Sequence, residues 1–236
     1  MIDRSEIKAI AFDYGGTLDT PGLNWMEVYM QVFALAGYTL PREAYREAYI
    51  YAERRMEQEA LVKRDDNFLK TQALKMELQL SYLVAKQMMS LEKGRIKPFA
   101  HSLAQVIDRL AALQVERNVP ALRALSASYP LLLVSNFYGN LRAVTTEYGI
   151  DRYFFSLTDS TLVGIRKPDS DLWRLAILRA GFAPDEVLVV GDSMKNDILP
   201  AQKLGCHALL LSGEGEKEDQ IASIDELLPL LLYPPK

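Results

Sequence analysis

The sequence predicts an α/β protein: a doubly wound parallel sheet with an all-helical segment inserted after its first strand. Three features carry that expectation. An apolar run at 7–12 breaks into a glycine-rich turn, and residues 24–89 form long helix-forming stretches with no strand pattern between them. After about residue 98, strand-length apolar runs alternate with helices.

The first strand reads as Ile7 to Phe12, ending in Asp13-Tyr14-Gly15-Gly16-Thr17, a buried strand giving way to a turn. Helices follow at Asn24 to Ala36, stopped by Gly37, at Arg42 to about Leu61, and at Asn67 to Met89, the last capped by Asp66 or Asn67. Beyond Gly94 and Pro98 the pattern reads as one helix to about Glu116 and a second entered through Asn118 and Pro120. The apolar run Leu131 to Val134 ends in Ser135-Asn136; Gly139 to Tyr148 is a helix closed by Gly149, and Tyr153 to Leu157 a short strand. Asp171 to Ala180 is a helix closed by Gly181. Val187 to Val190 is a strand, the following helix stops at Gly205, and Ala208 to Leu211 is the next strand. Such alternation gathers ligands at the carboxyl ends of the strands. The core is therefore expected from 1–20 and 95–236, with 21–94 as a helical cap over the mouth of the site. Gly37 and the stretch from Gly94 to Pro98 stand at its edges as candidate breaks around a moving lid.

At 236 residues the chain suits one large domain or a core carrying a smaller insertion. Acidic groups outnumber basic ones, 31 against 27, so there is no basic field to draw nucleic acid. The only cysteine, Cys206, has no partner for an internal disulfide, and the N-terminus lacks a secretory pattern. A reducing cytoplasm is expected. The longest apolar stretches, such as Leu227 to Leu232, fall far short of the roughly 20 residues that cross a bilayer.

Four polar segments stand at strand ends. Asp13 is placed to act as a nucleophile, a metal ligand or a brace for the turn. Ser135, with adjacent backbone amides, is placed to hold a phosphoryl oxygen or simply to make a turn. Lys167, stiffened by Pro168, offers an ammonium to a carboxylate and a phosphate together, or to solvent. Asp192 and Asp197, five residues apart across a strand-to-helix turn, either converge on one hard cation or cap the next helix.

Taken together, and in this order, the four segments resemble the haloacid dehalogenase superfamily, from Ile7 to about Ala208. Asp13 to Asp19 match its first motif, Ser135 the second, Lys167 the third and Gly191-Asp192-Ser193 to Asp197 the fourth. The resemblance implies a Rossmann-like core, a helical cap of the first type, and Asp13, Ser135 and Lys167 as catalytic residues. It also implies magnesium held by Asp13, the carbonyl of Gly15, Asp192 and Asp197, with Gly16, Thr17 and Asn136 contacting substrate.

One position departs from the pattern. The phosphatases of that family carry an acid/base aspartate two residues after the nucleophile, where this chain has Gly15. A positioned acid/base is worth about 10² to 10⁴ in rate, so slow turnover is expected unless another group serves. Asp19 is one candidate, although a brace for the loop is its ordinary role. For an imine-forming lysine of the phosphonate-cleaving kind, Lys63 and Lys70 are the candidates, each reading more simply as a solvated helix charge. Tyr14 is expected to point away from the reactive side of Asp13. His101 and His207 read as structural, and the stripe Tyr45, Tyr49, Met56 and Leu61 as cap core. The resemblance thus implies a magnesium-dependent hydrolase acting on a small phosphorylated metabolite through an aspartyl-phosphate on Asp13. A member that binds magnesium and phosphate without efficient turnover, or one that cleaves phosphonates, are the alternatives.

Overall fold

The structure is a computed structural model that describes residues 4–213 and 219–232. The expected core segments run past these bounds at 1–3, 214–218 and 233–236, which lie outside the described residues.

A six-stranded, wholly parallel sheet forms the centre. Its strands are β1 (Ala9–Phe12), β2 (Leu131–Ser135), β3 (Ser156–Asp159), β4 (Val187–Gly191), β5 (His207–Leu211) and β6 (Gln220–Ile221), in the spatial order β3-β2-β1-β4-β5-β6. All five pairings are parallel. Such strands are covered on both faces, and β1 shows why its residues alternate in size. Ile10 and Phe12 pack into a large cluster on one face. Ala9 and Ala11 leave room on the other for Leu172, Trp173 and Ala176.

Three helices enter between β1 and β2: α1 (Trp25–Leu35), α2 (Arg42–Gln58) and α3 (Phe68–Ala85). The Asn24 and Asn67 side chains cap α1 and α3 by accepting from Met26 N and Lys70 N. Gly37, at φ +85°, ends α1 with the left-handed backbone that glycine adopts most cheaply. The apolar faces of these helices, including Tyr29, Phe33, Tyr45, Phe68 and Met76, join the cluster that covers the sheet.

The largest departure from expectation is α4 (Lys93–Ser126), a single 34-residue helix where two were expected. Both Pro98 and Pro120 lie inside it. An internal proline costs about 3 kcal/mol, but one unbroken buried stripe, running from Ala100 and Leu103 through Ile107, Ala111 and Val115 to Leu122 and Leu125, outweighs that local penalty. Asn118 does not start a helix; its amide reaches the Leu18 carbonyl at 3.0 Å and ties α4 to the turn after β1. The expected boundary at residue 94 and the expected break from Gly94 to Pro98 both fall within this continuous helix.

After β2 come α5 (Leu141–Glu147), β3, the short α6 (Ser160–Val163) and α7 (Ser170–Arg179). The strand expected at Tyr153 lies three residues further on, because Asp151–Tyr153 forms a 3-10 turn. Past β4 the chain makes a π-helical turn, Met194–Ile198, before α8 (Leu199–Lys203) and, after β6, α9 (Leu227–Leu231). Among the described residues no helix is long and apolar enough to cross a membrane.

Candidate active site

Parallel pairing fixes where the four motifs meet. In register, Phe12 lies beside Val190 and Leu133, so the residues that follow β1, β2 and β4 emerge at the same edge of the sheet. Asp13, only 4% exposed, is held there by its own N–H, which donates to the Val190 carbonyl at 2.9 Å.

Lys167 joins the segments. Its ammonium donates to Asp13 Oδ1, to Asp197 Oδ1 at 2.7 Å and to the Val134 carbonyl at 3.1 Å. All three N–H groups are thereby used, and the Trp173 ring centroid lies 4.9 Å away. Asn136 fixes the lysine's backbone from both sides: its Oδ1 accepts from Lys167 N at 2.8 Å and its Nδ2 donates to Lys167 O at 2.9 Å. Burial on its own would lower the Lys167 pKa, but the charges of Asp13 and Asp197 outweigh it and raise it.

Carboxylate oxygens of Asp13, Asp192 and Asp197 lie within 4.8 Å of one another. Two glycines allow this approach. A Cβ on Gly16 would stand 2.3 Å from Asp192 Oδ2, and one on Gly191 would stand 2.5 Å from the Asp197 Cβ. Asp197 Oδ2 also accepts from Ser193 N at 3.1 Å. Burial, together with repulsion from Asp13 and Asp197, pushes Asp192 up to about 8. Burial also raises Asp197, to about 6, against the opposing pull of Lys167. Three hard oxygen donors this close, whose mutual repulsion a divalent cation would relieve, fit magnesium.

Asp13, Gly15, Asp19, Ser135, Asn136, Lys167, Asp192 and Asp197 line one cavity of about 410 Å³. Two of the expected substrate contacts lie elsewhere. Thr17 is fully buried, its hydroxyl donating to Asp13 Oδ2 at 3.2 Å, and it lines a small separate cavity. The Gly16 N–H donates to Asp19 Oδ1 at 2.8 Å. Asn136 does reach the cavity, but its side chain is engaged with the Lys167 backbone.

The space that a side chain at position 15 would enter faces Trp25. A Cβ on Gly15 would meet Trp25 Nε1 at 3.5 Å, and that nitrogen donates to Asp19 Oδ2 at 3.2 Å. Asp19 is therefore braced at both oxygens, and burial pushes it up to about 8. Tyr14 turns into the core, edge-on to Phe137 with ring centroids 5.6 Å apart. Lys63 and Lys70 are exposed, Lys70 pairing with Asp66 at 3.2 Å. His101 is exposed on α4, and His207 lies 3.5 Å from Glu6.

The inserted helices supply residues that pattern reading missed: Trp25, Glu53, Phe68, Gln72 and Lys75 all line the cavity. Tyr49, expected in the cap core with Tyr45 and Met56, lines it too, and Leu61 lies beyond the end of α2. A signal was present on α3, where Phe68, Gln72, Lys75 and Gln79 recur at helical spacing on a buried face; polar residues in such a stripe mark a face that meets more than core.

Comparison with known proteins decides the family. The sequence profile described as haloacid dehalogenase-like hydrolase matches residues 7–205. The chain belongs to that family. A haloacid dehalogenase-like hydrolase domain-containing protein 3 from Mus musculus is 33% identical over 111 residues, covering 43% of this chain and 44% of the relative. A phosphoserine phosphatase from Thermus thermophilus is 36% identical over 77 residues, covering 33% and 31%. The chain thus spans less than half the length of either relative. Among solved structures, the putative hydrolase YfnB of Bacillus subtilis bound to magnesium superposes with a TM-score of 0.60 at 16% identity, over 95% of this chain and 98% of that one. A dehalogenase with an intermediate complex gives 0.64 at 21%, over 98% and 99%. At such identities these two structures establish the haloacid dehalogenase-like fold, a Rossmann-like core with helical insertion, and nothing finer.

Proposed function

We propose that this chain is a magnesium-dependent phosphohydrolase of the cytoplasm, taking the phosphoryl group of a small phosphorylated metabolite onto Asp13 as an aspartyl-phosphate. The observation that carries this reading is the convergence of Asp13, Asp192 and Asp197 within 4.8 Å beside the buried Lys167 ammonium. Asp13, Asp192, Asp197 and the carbonyl of Gly15 are the groups that would hold the ion. When bound, the cation draws charge from the phosphoryl oxygens and lowers the repulsion that an anionic substrate meets. Lys167 holds Asp13 oriented for attack, and Ser135, at the end of β2 on the cavity wall, offers its hydroxyl to a phosphoryl oxygen. In this reading residues 21–94 act as the cap that closes the leaving-group side of the cavity.

A second reading is favoured by one observation, the indole that faces Gly15 where a carboxylate would serve as acid/base. It makes the chain a binding module that holds magnesium and phosphate with little turnover. Assaying p-nitrophenyl phosphate with and without magnesium, beside an Asp13→Asn control, separates the two. Metal-dependent turnover lost in the control supports the enzyme; phosphate binding without turnover supports the module.

A further inference from the structure

The cavity wall formed by the inserted helices carries its own charge pair, a buried ammonium and a partly buried carboxylate. Lys75 on α3 is 4% exposed, and its ammonium lies 2.5 Å from Glu53 Oε1 on α2. Glu53 Oε2 accepts from the Tyr138 hydroxyl at 2.6 Å. The Tyr138, Tyr49 and Tyr29 ring centroids lie 5.0, 5.6 and 5.8 Å from the ammonium. An ion pair taken largely out of water is often no more stabilising than apolar side chains of the same volume, so packing alone does not account for this one, whose ammonium is buried. Its placement on the wall of the cavity that holds Asp13 supplies a reason.

Donor and acceptor accounting defines what the wall can recognise. Lys75 and Tyr138 already occupy both oxygens of Glu53. An ammonium has three N–H groups, and Glu53 takes one. Gln72 Oε1 accepts from the Tyr29 hydroxyl at 2.7 Å. Among the groups this wall still offers a ligand are N–H groups of Lys75 and the amide of Gln72. Charge is already balanced, because Lys75 is paired with Glu53, Arg166 lies 3.4 Å from Glu57, and Lys167 is paired with Asp13 and Asp197. Among the described residues, a second anion would find no unpaired cation on this cavity and would meet the Glu53 carboxylate.

We propose that Lys75, held in place by Glu53, forms with Gln72 the leaving-group subsite and selects monoesters whose leaving group is uncharged and rich in oxygen acceptors, of the sugar or polyol class. The inference rests on the phosphohydrolase reading above and makes Lys75 and Gln72 specificity-determining residues. The Trp25, Tyr49, Phe68 and Tyr138 rings on the same cavity suit the C–H faces of such a group.

The test compares kcat/KM for ribose 5-phosphate, 2-phosphoglycolate and phenyl phosphate. The wild type is expected to favour ribose 5-phosphate over 2-phosphoglycolate by about 10-fold or more; the reverse ranking overturns the proposal without any variant. Removing both charges together in the Glu53→Gln, Lys75→Met double variant is expected to cut the ribose 5-phosphate value about 10-fold while phenyl phosphate, with no acceptor beyond the ester, changes less than about 3-fold. Equal losses on both esters overturn it. Glu53→Gln alone leaves the ammonium unbalanced and is expected to move preference toward 2-phosphoglycolate. If no ester is turned over, phenyl phosphate included, the phosphohydrolase reading has failed. Calorimetric titration of ribose 5-phosphate and 2-phosphoglycolate into the magnesium-loaded wild type then reads the subsite by itself, tighter ribose 5-phosphate supporting it and tighter 2-phosphoglycolate overturning it.

Discussion

The indole nitrogen of Trp25 stands 3.5 Å from the place a Cβ on Gly15 would occupy. That spacing is ordinary van der Waals contact, so Trp25 neighbours the position without filling it. Gly15 has room for a Cβ, so packing at the first side-chain atom does not require glycine there.

Placing a carboxylate at position 15 should raise turnover. Gly15→Asp is expected to increase kcat for p-nitrophenyl phosphate by about 10-fold or more, within the range of 10² to 10⁴ that a positioned acid/base supplies. Steady-state assays in magnesium check it, and an unchanged kcat in a folded variant would show that protonation of the leaving group does not limit this protein.

Lys167 is the counter-charge on which the carboxylates depend. Lys167→Met leaves Asp13 and Asp197 buried beside each other without it, a change expected to cost about 3 to 5 kcal/mol in metal-free protein. Denaturant unfolding in chelator and in magnesium should show the loss and its partial recovery by the cation. Equal stability of variant and wild type in chelator would argue that the ammonium is not the group that balances them.

The same repulsion predicts a pH dependence. Asp192 and Asp19 are raised to about 8, and Asp197 to about 6, from an ordinary 3.8. A carboxyl raised in the folded state binds its proton more tightly there than when unfolded, so its contribution is present at low pH and is lost as pH rises through the folded value. Metal-free protein should accordingly lose melting temperature between about pH 4 and 8 on account of these three groups. Magnesium, binding the ionised forms, should flatten that slope. A metal-free melting temperature that climbs from pH 5 to 8 would contradict the assignment.

Gly16 tests how closely the turn fits the acidic cluster. Its φ of +99° and the 2.3 Å approach of a Cβ to Asp192 Oδ2 act together. Gly16→Ala is expected to destabilise the protein by about 1 to 3 kcal/mol and to weaken magnesium binding, read by calorimetry. A variant that keeps its magnesium affinity would place Asp192 away from the ion.

Much of the sheet was legible in the sequence because each strand is a short apolar run bounded by turn residues, and parallel strands buried on both faces leave that mark. The order of Asp13, Ser135, Lys167 and Asp192 along the chain resembled one family, and the profile match bears that out. The continuous α4 was not legible, since Pro98 and Pro120 are local stop signals overridden by burial along a 34-residue stripe. β6 was missed because two residues carry no periodicity.

By itself, the sequence determined which polar residues end the strands and that position 15 carries no acid. The tertiary structure decided what faces them: that Asn136 holds Lys167, that Trp25 stands beside Gly15, and that Lys75 and Glu53 meet on the cavity wall. The physical reason is range. Strand ends are written in local apolar patterning, whereas a contact between residues 22 or 31 positions apart depends on how helices pack, and no local pattern records that.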